Sequence, residues 1–131
     1  MNTYLLDTSV LIDLLNSKRG RDALLLHLLS EGHLLGCCAI NVTEVYAGMR
    51  PHEEAKTDSF IDSLQYYPVT KAIAKHAGRL KYEWARKGVT LSTPDTTIAA
   101  VALAHKLILL TDNRKHYPMP DLRLCEESGR G

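Results

Sequence analysis

A chain of 131 residues that is 45% hydrophobic, 24% charged and 6% aromatic can bury about two-thirds of its unfolded surface around one core and is too apolar for a disordered segment. Sixteen basic against fifteen acidic residues leave a net charge of +1, so bulk charge selects no polyanionic partner. The 3 cysteines, with no CxxC pair, exclude a disulfide framework; Cys37, Cys38 and Cys125 read as buried small hydrophobes, which points to a reducing cytoplasm.

The start, Met1 to Asp7, has no basic residue and meets an acid early, unlike a signal peptide. No apolar run approaches the ~20 residues of a membrane span; Ile98 to Leu110 is broken by His105 and Lys106. Short apolar runs alternate with segments of helical period, which predicts an α/β domain with a parallel sheet. Tyr4-Leu5-Leu6 reads as a first strand, Ser9 to Asn16 as a helix, and the Leu-rich Arg21 to Glu31 as a second helix closed by Gly32. Leu35 to Ile40 reads as a strand and Val42 to Met49 as a helix. After Pro51 comes a polar helix, Glu53 to Leu64, with Phe60, Ile61 and Leu64 inward, then a strand at Tyr66 to Val69. Lys71 to Lys87 is a clear amphipathic helix with Ile73, Ala77, Leu80 and Trp84 on one face, stopped by Gly88. Pro94 suits the first turn of a helix reaching His105. Leu107 to Leu110 is a strand, Asn113 to Tyr117 a turn or short helix, and Leu122 to Leu124 a last strand. Residues 1–125 thus form one domain, with 126–131 expected to be a flexible tail.

Acids stand at the ends of these elements. Asp7 follows the first strand and Asp112 the fourth, while Glu44 and Asp95 fall in the first turns of expected helices. In a parallel sheet the strand C-termini and the helix N-termini share one edge, where ligands bind. Each acid alone has a local explanation: Asn41-Val42-Thr43-Glu44 is a capping-box pattern, Asp95 suits a helix dipole, and Asp7 and Asp112 suit N-caps. Together they repel, by up to ~4 kcal/mol per close pair at an effective dielectric near 20, and require a cation. All-oxygen ligation suits Mg²⁺, with Mn²⁺ as a substitute. Because Mg²⁺ keeps several waters, Asp7 and Asp95 are assigned direct ligation, with Glu44 and Asp112 acting through water or on a second ion. Thr8, Ser9, Thr96 and Thr111 either orient these carboxylates or cap locally.

Leu5 to Asp13, Asn41 to Val45, Pro94 to Ala100 and Leu110 to Tyr117 together resemble the PIN domain, most closely the VapC toxins of type II toxin–antitoxin modules. The resemblance spans nearly the whole chain, with the motifs in the family's order. It implies an α/β/α sandwich, an Mg²⁺-dependent endoribonuclease, an RNA substrate, a VapB-like antitoxin partner and a homodimer. Asp7 and Asp95 match the family's principal metal ligands and Glu44 its third acid. In the fourth motif Asp112 and Asn113 both qualify, Asp112 being favoured, and Tyr117 stands where the family usually has Phe.

Lys71 to Lys87 holds six basic residues against Glu83 alone. Lys75 and Arg79 lie in its basic sector, which is either a solvated face or a strip for RNA phosphates. Arg114, Lys115 and His116 lie nearer the acids and are better placed for phosphate contact. Segment 44–62, rich in acids, faces solvent or the partner. The six histidines show no HExxH spacing, and no GxSxG supports a serine hydrolase. An aspartyl-phosphate enzyme of the haloacid-dehalogenase kind would need an acid at position 9, which is Ser. The alternative to a nuclease is a PIN-like module that binds RNA or protein without catalysis. Such modules commonly lack an acid, whereas Asp7, Glu44, Asp95 and Asp112 are all present.

Overall fold

In this computed structural model, which describes residues 1–18 and 20–125, the first apolar run forms strand β1 (Thr3–Leu6) and leads directly into helix α1 (Thr8–Leu15). Helix α2 (Arg21–Ser30), strand β2 (Leu34–Cys38), helices α3 (Ala39–Gly48) and α4 (Glu54–Asp62) and strand β3 (Gln65–Tyr67) follow. Helices α5 (Lys71–Arg86) and α6 (Thr93–His105) then precede strands β4 (Ile108–Leu110) and β5 (Arg123–Leu124). Short 3-10 turns cover Pro51–Glu53 and Arg114–His116. The expected tail at 126–131 lies outside the described residues.

All pairings are parallel, in the order β3-β2-β1-β4-β5. Alternate side chains of each strand enter opposite cores, because successive Cβ atoms point to opposite sheet faces. Leu5 and Leu109 pack with Ile73, Ala77 and Leu80 of α5 and Ile98 and Val101 of α6. Leu6, Ile108 and Leu110 pack with Val10, Leu11 and Leu14 of α1 and Leu24 and Leu28 of α2. The result is a three-layer α/β/α sandwich. Burial on both faces explains why β1 and β4 read as unbroken apolar runs. Cys37, Cys38 and Cys125 are all buried and form no disulfide. Among the described residues no helix is long and apolar enough to cross a membrane.

The topology fixes where a ligand belongs. From β1 the chain steps outward to β2 and β3, then returns through α5 and α6 to place β4 on the other side of β1. Strand order therefore reverses between β1 and β4, and the crevice outside their C-terminal ends is the usual binding position in such sheets. Leu6 is level with Leu110, and the Asp7 N–H donates to the Leu110 carbonyl at 3.0 Å. Asp7 and Thr111 thus leave the sheet side by side.

The structure corrects several expected boundaries. The strand expected over Leu35 to Ile40 stops at Cys38, and the helix expected from Val42 begins at Ala39. The cause is Asn41, whose Oδ1 accepts the Cys38 N–H at 2.8 Å; it closes the first turn from inside the helix instead of capping it. Glu44 consequently sits beyond the first turn, and the Asn41–Glu44 capping box does not form. The third strand is Gln65–Tyr67, not Tyr66 to Val69. Its pairing with β2 relies on Gly36, where an added Cβ would lie 2.9 Å from Cε2 of Tyr67. In α5, Ile73, Ala77 and Leu80 are buried as expected, with Trp84 partly buried against them. In α2, Leu24, Leu25 and Leu28 are buried while Leu26 and Leu29 are exposed.

Candidate functional site

Asp7 sits at the end of β1 with only 6% of its surface exposed. One carboxylate oxygen accepts the Thr8 N–H at 2.9 Å, which caps α1; the other accepts the Thr111 hydroxyl at 2.6 Å. Thr111 is itself fixed, its oxygen accepting the Asn113 N–H at 3.0 Å. Asp95 lies in the first turn of α6, where Ser92 rather than Asp95 provides the cap, accepting the Asp95 N–H at 3.2 Å. The Asp95 carboxylate is therefore available to the crevice.

Tyr117 joins the two acids. Its hydroxyl lies 3.1 Å from Oδ1 of Asp95 and 3.3 Å from Oδ1 of Asp7. Burial, then the neighbouring Asp7 and Asp95 charges, push its ionisation far above the ordinary phenol range, so it stays a donor. One proton cannot satisfy both carboxylates fully, and the pair is left rich in negative charge. Burial also raises the Asp7 pKa, with Asp95 adding to it, while the bonds from Thr111, Thr8 and Tyr117 oppose the shift. On the outer side, Nδ1 of the exposed His116 lies 3.3 Å from Oδ2 of Asp95.

Glu44 is tied in from α3. Its Oε1 accepts the Thr8 hydroxyl at 2.7 Å, and the wholly buried Asn41 donates to Thr8 Oγ1 at 3.0 Å. Burial raises the Cys38 thiol pKa, opposed by backbone hydrogen bonds from Asn41 and Ile40, with the Glu44 and Asp7 charges adding to the rise.

Asp112 is differently placed. Its Oδ2 is hydrogen-bonded to Nη2 of Arg21, whose guanidinium is fully buried and also lies 3.4 Å from Oδ2 of Asp13. Asp7 and Asp95 are thus brought together, Glu44 stands one residue away through Thr8, and Asp112 is held by Arg21. Among the described residues no group of three or more His, Cys, Asp or Glu side chains is arranged to hold an ion.

Of the residues expected to orient the acids, Thr8 and Thr111 do so, on Glu44 and Asp7. Thr96 donates to the Thr93 carbonyl at 3.1 Å within its own helix. Asn113 contributes its backbone N–H, and the buried Ser9 hydroxyl has no hydrogen-bond partner among the described residues. Arg114 donates to the Cys125 carbonyl at 2.9 Å, while Lys115, Lys75 and Arg79 are exposed. Sequence reasoning missed the site roles of Asn41, Arg21 and the Tyr117 hydroxyl, and it placed His116 near the acids for phosphate contact without foreseeing its contact with Asp95. Only Tyr117 carried a signal, as a hydroxyl in a position where an aromatic ring alone was expected.

Tyr117→Phe removes that hydroxyl and leaves the ring in place. Bonds to charged acceptors are worth roughly 1.5–3 kcal/mol, and this donor is shared at long distances, so a loss of about 1–2 kcal/mol is expected. Urea unfolding of the metal-free protein checks it, and an unchanged midpoint would show that the contact is not made in solution.

The PIN-domain model matches residues 4–122. Ribonuclease VapC19 of Mycobacterium tuberculosis is 33% identical over 122 residues, covering 91% of this chain and 96% of that protein. A toxin–antitoxin complex from Klebsiella pneumoniae contains a chain 28% identical, with TM-score 0.74 over 91% of this chain and 94% of that one. VapBC2 from Rickettsia felis, solved with a DNA fragment from its promoter, shares the fold with TM-score 0.81 at 24% identity, over 94% and 97% of the two chains. The chain belongs to the PIN-domain family, among its VapC-type members.

Proposed function

We propose that this protein is a metal-dependent endoribonuclease and the toxin half of a toxin–antitoxin pair. The observation that carries the reading is the placing of Asp7 and Asp95 on one Tyr117 hydroxyl at the point where strand order reverses. The ribonuclease among its relatives and the toxin–antitoxin complex among similar structures support it.

The donor set fits a divalent ion. Two oxygen-bearing side chains, Asp7 and Asp95, match the one or two carboxylates that Mg²⁺ takes while keeping several waters, and burial makes the Asp7 charge costly without a cation. Mg²⁺, or Mn²⁺ in its place, would be held by Asp7 and Asp95. When bound, such an ion polarises a phosphodiester oxygen and lowers the pKa of a water. The protein's own part is preorganisation. Thr111 and the Thr8 N–H fix the Asp7 carboxylate, Tyr117 fixes its distance from Asp95, and Thr8 with Asn41 holds Glu44 at the rim. Glu44 is suited to accept a proton from an attacking water. Exposed Lys115, Lys75 and Arg79, with Arg114, supply sequence-independent attraction for RNA phosphates.

The antitoxin is a second protein whose attachment closes this crevice, in the cytoplasm. Self-association through the exposed Leu26 and Leu29 of α2 accounts for the apolar side chains that the core leaves uncovered. The purified chain incubated with structured RNA and Mg²⁺ should produce internal cuts. RNA binding without any cleavage would instead favour a non-catalytic PIN module.

A further inference from the structure

Arg21 is the first residue of α2, entered through Gly20 in a left-handed conformation (φ 66°). From there it reaches Asp112, 91 positions away in sequence, and its side chain is 0% exposed while that of Asp112 is 9% exposed. A buried arginine cannot shed its proton, so its charge is permanent, and removing a partner of a buried pair leaves an uncompensated charge. Among the described residues Nε and Nη1 of Arg21 have no hydrogen-bond partner, and Asp13 stands at 3.4 Å. Displacement of Arg21 from Asp112 by a metal ion would therefore leave the buried guanidinium with the longer Asp13 contact in place of its closest carboxylate.

We propose that Arg21 is a built-in cation that takes Asp112 out of the ligand set, so that the site holds one divalent ion. Asp112 then acts as a positioning residue. Held by Arg21, it fixes the turn that carries Thr111, whose hydroxyl orients the Asp7 carboxylate at 2.6 Å. The guanidinium supplies the neutralisation that a second ion would otherwise give to the end of β4. This rests on the reading that Asp7 and Asp95 hold the ion.

Calorimetric titration of Mn²⁺ into the metal-free protein and its variants, with thermal unfolding of each, tests the proposal. The wild type should take up one ion per chain. Asp112→Asn should stay within about threefold of wild-type affinity but unfold about 5 °C or more lower, because it weakens the hold on a buried charge. Asp7→Asn should lose more than about 100-fold in affinity, as expected for a direct ligand. Arg21→Gln removes the buried positive charge from beside Asp112 and should raise the stoichiometry to two, while Arg21→Lys, which keeps the charge, should remain at one. If Arg21→Gln does not fold by circular dichroism, Asp112→Asn and Arg21→Lys decide the matter. Two ions on the wild type, or a loss in Asp112→Asn as large as that in Asp7→Asn, would overturn the proposal. Unchanged binding in Asp7→Asn would instead remove the metal reading beneath it.

Discussion

Asp7→Asn and Asp95→Asn are each expected to lower RNA cleavage by about a thousandfold or more, since each removes a ligand charge worth several kcal/mol to a metal-assisted transition state. The fold should survive, because Asn retains the size of Asp and can still accept the Thr8 N–H at position 7. Asp7→Asn should do more than survive. The folded-state pKa of Asp7 lies above its ordinary value because of burial and Asp95, so the metal-free fold favours the protonated acid. Stability is then lost as pH rises from the ordinary carboxylate value through the folded one. Asparagine carries no such deficit. In EDTA at pH 7 the variant should melt a few degrees above wild type, and the gap should shrink as the pH is lowered towards the ordinary carboxylate range. Full cleavage by either variant would remove these residues from the site, and a lower melting temperature for Asp7→Asn would contradict the electrostatic account.

Chelation should have an effect as large as either substitution. At the crevice Cys38 is wholly buried with a raised pKa and the Tyr117 hydroxyl holds its proton, so neither supplies a nucleophile in place of a metal-bound water. Cleavage should stop in excess EDTA and return with Mg²⁺ or Mn²⁺, whose preference for oxygen matches Asp7 and Asp95. Zn²⁺ should not be required. Activity that persists under chelation, measured on a defined RNA by gel electrophoresis, would point to a different chemistry.

The architecture was legible wherever one signal dominated. Tyr4-Leu5-Leu6 and Leu107 to Leu110 could only be buried strands, and the 3.6-residue spacing of Ile73, Ala77 and Leu80 announced α5. Asp7 and Asp95 were legible for a related reason, since an acid directly after a buried strand, or beside Pro94 in a first helical turn, faces the ligand edge. The start of α3 was not legible. Ala39 and Ile40 continue the apolar run of β2, and Asn41 looks like a cap when it is an internal clasp on the Cys38 N–H. Arg21 was hidden more deeply. A single arginine opening a Leu-rich helix reads as a solvated end, and nothing local reveals that the sheet places Asp112 within its reach. The expected cluster of carboxylates therefore resolved into a close pair, a third acid joined through Thr8, and a fourth already matched by a cation. The need for positive charge was readable from the acids; its partial supply by the chain itself was a long-range fact of packing.

The most direct measurement is a crystal grown with Mn²⁺ and examined by anomalous scattering. The account predicts one strong peak at about 2.1–2.2 Å, the distance for small divalent ions and carboxylates, from oxygens of both Asp7 and Asp95, with Arg21 still on Asp112. A saturated crystal with no peak on that pair, or with its principal peak on other residues, would contradict it.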